Sequence, residues 1–162
     1  MTPEHFQTAP LLWEIAFTIG AILLFNFYPQ YVGISNYNGE WVFIPILTPV
    51  FFSYLPWLDL AWGFTIILDI ILIRQGRWQA ATHWFSMGNS VLAIVILLVM
   101  LTGAPIVNLN PADMASLGWP QILKQLMSHI NSFARLILAL IIFLEGIELA
   151  KKLCQFLWKK PS

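Results

Sequence analysis

The sequence predicts an all-α integral membrane protein: a four-transmembrane-helix bundle, N-in/C-in, with a proline-rich outer loop or re-entrant segment. Three observations predict it. The chain of 162 residues is 59% hydrophobic and 10% charged, whereas a soluble domain carries roughly 25% charged residues. A water-soluble fold of this size would have too little polar surface to cover itself. Long apolar stretches recur through the chain, and no Lys or Arg precedes Arg74. The basic residues then gather in two places, Arg74 with Arg77 and Lys151, Lys152, Lys159 with Lys160. Positive charge in short loops is retained on the cytoplasmic side. Both clusters therefore mark the inner surface, and four crossings satisfy both.

The first span is expected over 11–28, long enough for a hydrocarbon core of roughly 30 Å. Pro10 suits a first helical turn and Pro29 a stop. The outer loop covers 29–48, with Asn38-Gly39 as a turn signal. Within it 42–49 is apolar but too short to span. Pro45 and Pro49 argue against a helix there, so a loop or re-entrant segment is expected.

Thr48-Pro49 reads as a helix start, with Thr48 as N-cap and Pro49 at the first helical position. The second span runs over 49–73, with Pro56 expected to kink it; a start at Pro56 is the alternative. Trp57 and Trp62 would mark its outer end. The inner loop covers 74–83, although 80–87 could already begin the next helix. The third span covers 84–102. Its aliphatic run 91–101 suggests broad exposure to lipid, and Gly103-Ala-Pro105 stops it. A second outer loop covers 103–120. An amphipathic start and the fourth span follow over 121–150, with apolar Ile122, Leu126 and Ile130 at one helical spacing. Residues 151–162 form a cytoplasmic tail whose lysines would rest on an anionic leaflet.

Ionisable groups inside a span cost about 2.5–3.5 kcal/mol each on insertion scales, so each needs a reason. Helical rise puts Asp59 roughly 22 Å from the Arg74 level and Arg135 roughly 24 Å from the Lys151 level. The matching depths predict an intramembrane ion pair between Asp59 and Arg135. Glu14, Asp69 and Glu145 fall within roughly 10 Å of the inner surface by the same count. They form a candidate ion or proton pathway, with Arg74, Arg77, Lys151 and hydroxyls within the spans as expected partners. Glu148 and Lys152 stand at i, i+4 and are expected to pair on the helix surface.

Other chemistry finds little support. Net charge is zero, which gives no basis for nucleic-acid binding. Cys154 is the single cysteine, so no intrachain disulfide or thiol pair exists. His5, His83 and His129 share no metal-ligand spacing. H-E-x-x-H, G-x-S-x-G and Gly-rich phosphate loops are absent. No catalytic residue, metal or cofactor is expected.

Several short elements resemble the membrane region of bacterial proteins that carry a HAAS-type signalling domain. They are Phe25-Asn-Phe-Tyr-Pro29, Phe43-Ile-Pro-Ile46, the Gly76-Arg-Trp78 inner turn, and the segment from Pro105 to Pro111 with Asn108 and Asn110. The resemblance spans residues 10–155. In that family a short helical cytosolic domain precedes the spans; here Leu11 already opens the first span, so its signalling output is not carried over. The resemblance implies a multi-pass protein of the bacterial cytoplasmic (inner) membrane.

The leading functional expectation is a non-enzymatic integral membrane subunit, signalling-associated or part of a larger membrane complex. Its partners would be the lipid bilayer and another membrane protein or further copies of itself. The alternative is a small transporter or ion/proton pathway using Glu14, Asp69 and Glu145.

Overall fold

The computed structural model describes residues 8–37, 41–108, 125 and 128–158. Four long helices dominate: α1 (Thr8–Phe27), α2 (Pro49–Gln75), α3 (Ala80–Thr102) and α4 (Ile130–Trp158). A 3-10 turn, Pro29–Tyr31, and a two-stranded hairpin, β1 (Gly33–Tyr37) with β2 (Trp41–Pro45), join α1 to α2. α1 packs on α2, α2 on α3, and α3 on α4. The Asn38-Gly39 turn, the stretch expected at 109–120, Lys124, Lys159 and Lys160 lie outside the described residues. So does the amphipathic approach over 121–127, apart from Gln125.

α1, α2 and α3 are each long and apolar enough to cross a membrane. α1 makes the physical case most directly. It has no buried residue, and Trp13, Phe17 and Phe27 are each about two-thirds exposed or more, at 67%, 74% and 66%. A helix that leaves large aromatic and aliphatic side chains this exposed is stable only where its surroundings are apolar too. These three helices make this a membrane protein.

The apolar stretch over 42–49 is neither a loop nor a helix for most of its length. Trp41–Pro45 pairs antiparallel with Gly33–Tyr37, from Tyr37↔Trp41 to Gly33↔Pro45. Valine, isoleucine, phenylalanine, tyrosine and tryptophan favour a pleated backbone. Pro45, which argued against a helix, is compatible with the end of a strand, where no N–H is needed. The chain beyond stays extended. Leu47 bridges to Val107, the Thr48 N–H donates to the Ile106 carbonyl at 3.0 Å, and the Asn108 N–H to the Ile46 carbonyl at 2.9 Å. The start of α2 is thus stitched to the chain leaving α3.

α2 begins at Pro49 and continues through Pro56, so the later start does not occur. Thr48 occupies the N-cap position but makes no side-chain cap. Its hydroxyl instead donates to the Pro105 carbonyl at 2.8 Å, adding a side-chain bond to the stitch. At the other end Gly76 adopts φ 61, and its N–H donates to the Leu72 carbonyl at 2.9 Å. This left-handed cap is what glycine allows without steric cost. α3 starts at Ala80, earlier than the expected 84. Thr82 explains the start: its hydroxyl accepts the Gln79 N–H at 2.9 Å. The turn between α2 and α3 therefore shrinks to four residues, 76–79.

The buried apolar cluster lies toward the hairpin end, built from Phe51, Leu55, Ile96, Met100 and Leu138, with Ile106 and Val107 from the stitched segment. Phe25 of α1 meets Phe51 at 5.1 Å between ring centroids and stacks on Trp62 at 6.0 Å. Such ring pairs contribute about 0.5–1.5 kcal/mol each beyond burial. Trp62, expected at an interface, is instead packed against this cluster. The aliphatic run of α3 is divided: Ile96 and Met100 are buried, while Val91, Val95, Leu98 and Val99 are exposed.

Candidate functional site

Below Leu58 and Leu97, toward the basic end of α2 and α4, the bundle is not filled. A cavity of about 540 Å3 lies among all four helices. Each helix presents one face to it. α1 supplies Leu11, Glu14 and Thr18, at successive helical turns. α4 supplies Ile141, Glu145, Glu148 and Lys152, spaced i, i+4, i+7 and i+11 on a single stripe. α2 contributes a stripe from Leu58 to Leu72 that includes Trp62, Thr65 and Asp69. By helical rise that stripe is roughly 21 Å long. α3 contributes Ser86, Asn89 and Ser90, then Ala93 and Leu97.

The three carboxylates predicted from depth, Glu14, Asp69 and Glu145, come from three helices and line this one cavity. Glu148 joins them. The expected bases do not. Arg74, Arg77 and Lys151 are exposed and do not line the cavity. Lys152 does, and its ammonium donates to the Ser90 hydroxyl at 3.0 Å. Glu148 and Lys152, expected to pair on the helix surface, both line the cavity, and the ammonium bonds across to α3. The charges interact with one another: Glu14 and Glu145 each with Glu148 and Lys152, and Asp69 with Glu14.

Asp69 is the most enclosed of these groups, at 3% exposure. Its Oδ2 is buried and has no hydrogen-bond partner. A turn away, a short polar chain crosses from α3 to α2. The Asn89 amide nitrogen donates to the Thr65 hydroxyl at 2.9 Å, and that hydroxyl donates to the Ala61 carbonyl at 3.2 Å. A hydroxyl carries one proton, so Thr65 can only accept from Asn89. The amide is thereby oriented, and its Oδ1 is left buried without a partner.

Asp59 and Arg135, matched in depth, take different partners. The Asn26 amide donates to Asp59 Oδ1 at 3.0 Å and Oδ2 at 3.1 Å. Arg135 donates from Nη2 to the Gly103 carbonyl at 3.2 Å. An asparagine amide or a free helix-end carbonyl satisfies a charged group without a second charge, and depth counting does not reveal such neutral partners.

The sequence reading also missed the α3 wall. Ser86, Asn89 and Ser90 are small or polar residues at i, i+3 and i+4, placed just before the aliphatic run. That spacing was the available signal. Among the described residues no group of three His, Cys, Asp or Glu side chains is placed to hold a metal ion. His83 packs its ring on Trp78 at 4.7 Å, and Cys154 is exposed.

Comparison with family models, with curated proteins and with solved structures gives no match.

Proposed function

We propose that the protein is a four-span membrane protein whose cavity is a site on a pathway for a small solute, ion or proton, with Glu14, Asp69 and Glu145 as its working groups. Asp69 carries this reading. A carboxylate at 3% exposure with an unpartnered oxygen is costly within a bilayer-spanning helix. A subunit acting by packing alone would have no use for it. Asp69 lines the same cavity as Glu14 and Glu145, which supports a shared role for the three carboxylates.

In this reading α4 is the fourth crossing. Its 29 residues exceed the roughly 20 that a bilayer requires. Leu136, Leu140 and Phe143 are exposed on it, and the Gly103 carbonyl satisfies Arg135. The positive-inside rule then makes the basic end cytoplasmic. The cavity becomes a vestibule facing the cytoplasm, closed on the outer side by Phe51, Leu55, Met100 and Leu138. The resemblance to the HAAS-type membrane region favours the bacterial inner membrane.

The test is flux in proteoliposomes. An imposed pH or sodium gradient should dissipate faster with the protein than in empty vesicles. The combined Glu14→Gln, Asp69→Asn, Glu145→Gln variant should abolish the difference. Flux that is absent, or unchanged in the variant, overturns the reading.

A further inference from the structure

α4 is anchored at its outer end. Leu138 is buried in the apolar cluster near the hairpin, with Ile130 and Ala134 packed against it. Arg135 adds its bond to the Gly103 carbonyl. Beyond Leu138 no α4 side chain is buried among the described residues, and Leu140, Phe143, Leu144 and Ile147 are exposed. This inner half lines the cavity with Ile141, Glu145, Glu148 and Lys152. From Leu138 to Lys152 it rises roughly 21 Å. Among the described residues, the hydrogen bond that joins it to another helix is the one from Lys152 to Ser90, at 3.0 Å.

α1 repeats the pattern. Phe25 and Asn26 hold its outer end to α2. Its inner end brings Leu11, Glu14 and Thr18 to the cavity without burying a side chain. α4 packs on α3, and no comparable packing joins α4 to α1 among the described residues. Lys152 is therefore the fastening at the inner end of α4, and its ammonium has two kinds of acceptor to choose from. Ser90 is a buried hydroxyl across on α3. Glu148 is a carboxylate one turn back on the same stripe, at the i, i+4 spacing that pairs acid with base. Glu14 and Glu145 act on the same ammonium through their charge. The hydroxyl offers a bond between two helices, the carboxylate an opposite charge within α4, and the two are of comparable strength.

We propose that Lys152 is a releasable latch: bonded to Ser90 it holds the inner half of α4 against α3, and turned back to Glu148 it frees that half to move off α3 and open the cavity beside α1. The outer end, held by Leu138 and Arg135, stays in place in both states. A two-state element needs discrete alternative contacts for one group, and Lys152 has them. The purpose, control of access to the cavity, rests on the reading of that cavity as a solute site; the movement itself is measured without flux.

Pulsed electron–electron double resonance on the full chain in lipid nanodiscs tests this. Cys154, exposed and the single cysteine, takes one spin label just beyond Lys152. Ile70→Cys, at an exposed position on α2, takes the other. This inner pair should divide between a shorter and a longer distance, with the shorter more populated. Ser90→Ala should raise the ratio of long to short about ten-fold, the scale of one charge-assisted hydrogen bond. Glu148→Gln should lower that ratio several-fold, a gain of order that a misfolded variant could not produce. An outer pair, Leu60→Cys with Ile137→Cys in a Cys154→Ser background, should keep one distance throughout; both positions are exposed. A single inner distance in wild type, indifference to either variant, or an outer pair that moves with the inner one overturns the inference. If the inner distances respond as described while proton or sodium flux is absent, the latch stands and transport falls. If flux persists while the distances do not respond, the pathway stands and the latch falls.

Discussion

Asn26 on α1 donates its side-chain amide to both carboxylate oxygens of Asp59 on α2, at 3.0 and 3.1 Å. The same nitrogen also reaches the Ile22 carbonyl one turn back, at 3.0 Å, which fixes its direction. α1 buries no side chain, so this polar contact and the Phe25 ring contacts are what give α1 its register on α2. In a bilayer, helix association has no hydrophobic driving force and rests on packing and such bonds. Asn26→Ala should destabilise the protein by about 1.5–3 kcal/mol, the value of a hydrogen bond to a charged group. Asn26→Asp should cost more, because it sets two carboxylates against each other. Unfolding midpoints in a detergent series would show the order wild type, Ala, Asp; an aspartate variant as stable as wild type would remove the contact from the account.

Gly103 leaves α3 beside Tyr54. A Cβ added there would lie 2.5 Å from the Tyr54 hydroxyl oxygen and 2.9 Å from the Val99 carbonyl oxygen. Gly103→Ala is expected to lower stability by about 1–3 kcal/mol, as overpacking generally does. Tyr54→Phe removes the nearer atom, so the double variant should recover part of the loss. A double-mutant cycle on thermal midpoints measures the coupling, and strict additivity would exclude the contact as the cause.

Gly76 is the described residue at positive φ, 61, and it caps α2. Gly76→Ala should cost about 1 kcal/mol. Gly76→Asn should cost less, since asparagine tolerates the left-handed region. The comparison isolates backbone conformation from side-chain contact, because a Cβ at this position would meet nothing within 4 Å. Equal losses for Ala and Asn would point to another cause.

Thr48 is tied to Pro105 through its hydroxyl, at 2.8 Å. Thr48→Val keeps the shape and loses the donor, with an expected cost of about 1 kcal/mol. Thr48→Ser keeps the donor and should stay close to wild type. If the residue acted as a helix cap, Thr48→Asp would stabilise; here it should destabilise, because a carboxylate cannot donate to the Pro105 carbonyl. Denaturation midpoints of the three variants separate the two roles.

The residues that punctuate the chain were legible. Pro49, Gly76 and Gly103 bound the helices in the structure as their chemistry requires. Counting depth from Arg74 and Lys151 also gathered Glu14, Asp69 and Glu145 into one layer. Depth is a one-dimensional measure, however, and the cavity depends on rotation about each helix axis. Lys151 and Lys152 differ by one residue and by 100° in direction, given 3.6 residues per turn; only the second faces Ser90. The same rotation decides that Ser86, Asn89 and Ser90 face inward. The hairpin was missed for a different reason. Its strands satisfy each other, and a reading tuned to spans gives such short apolar runs no partner.

The stitch between residues 46–48 and 105–108 has a mechanical consequence when taken with the tight turn at 76–79. α2 and α3 are lashed together top and bottom, like two posts held by a sill and a lintel. α1 leans on one post and α4 on the other. Any widening of the space between them must come from these outer helices swinging as leaves on a fixed frame. Asp69 and Asn89 belong to the frame, while Glu14 and Glu145 ride on opposite leaves. Each swing would therefore bring these two carboxylates together or draw them apart across the cavity, against a wall that stays where it is.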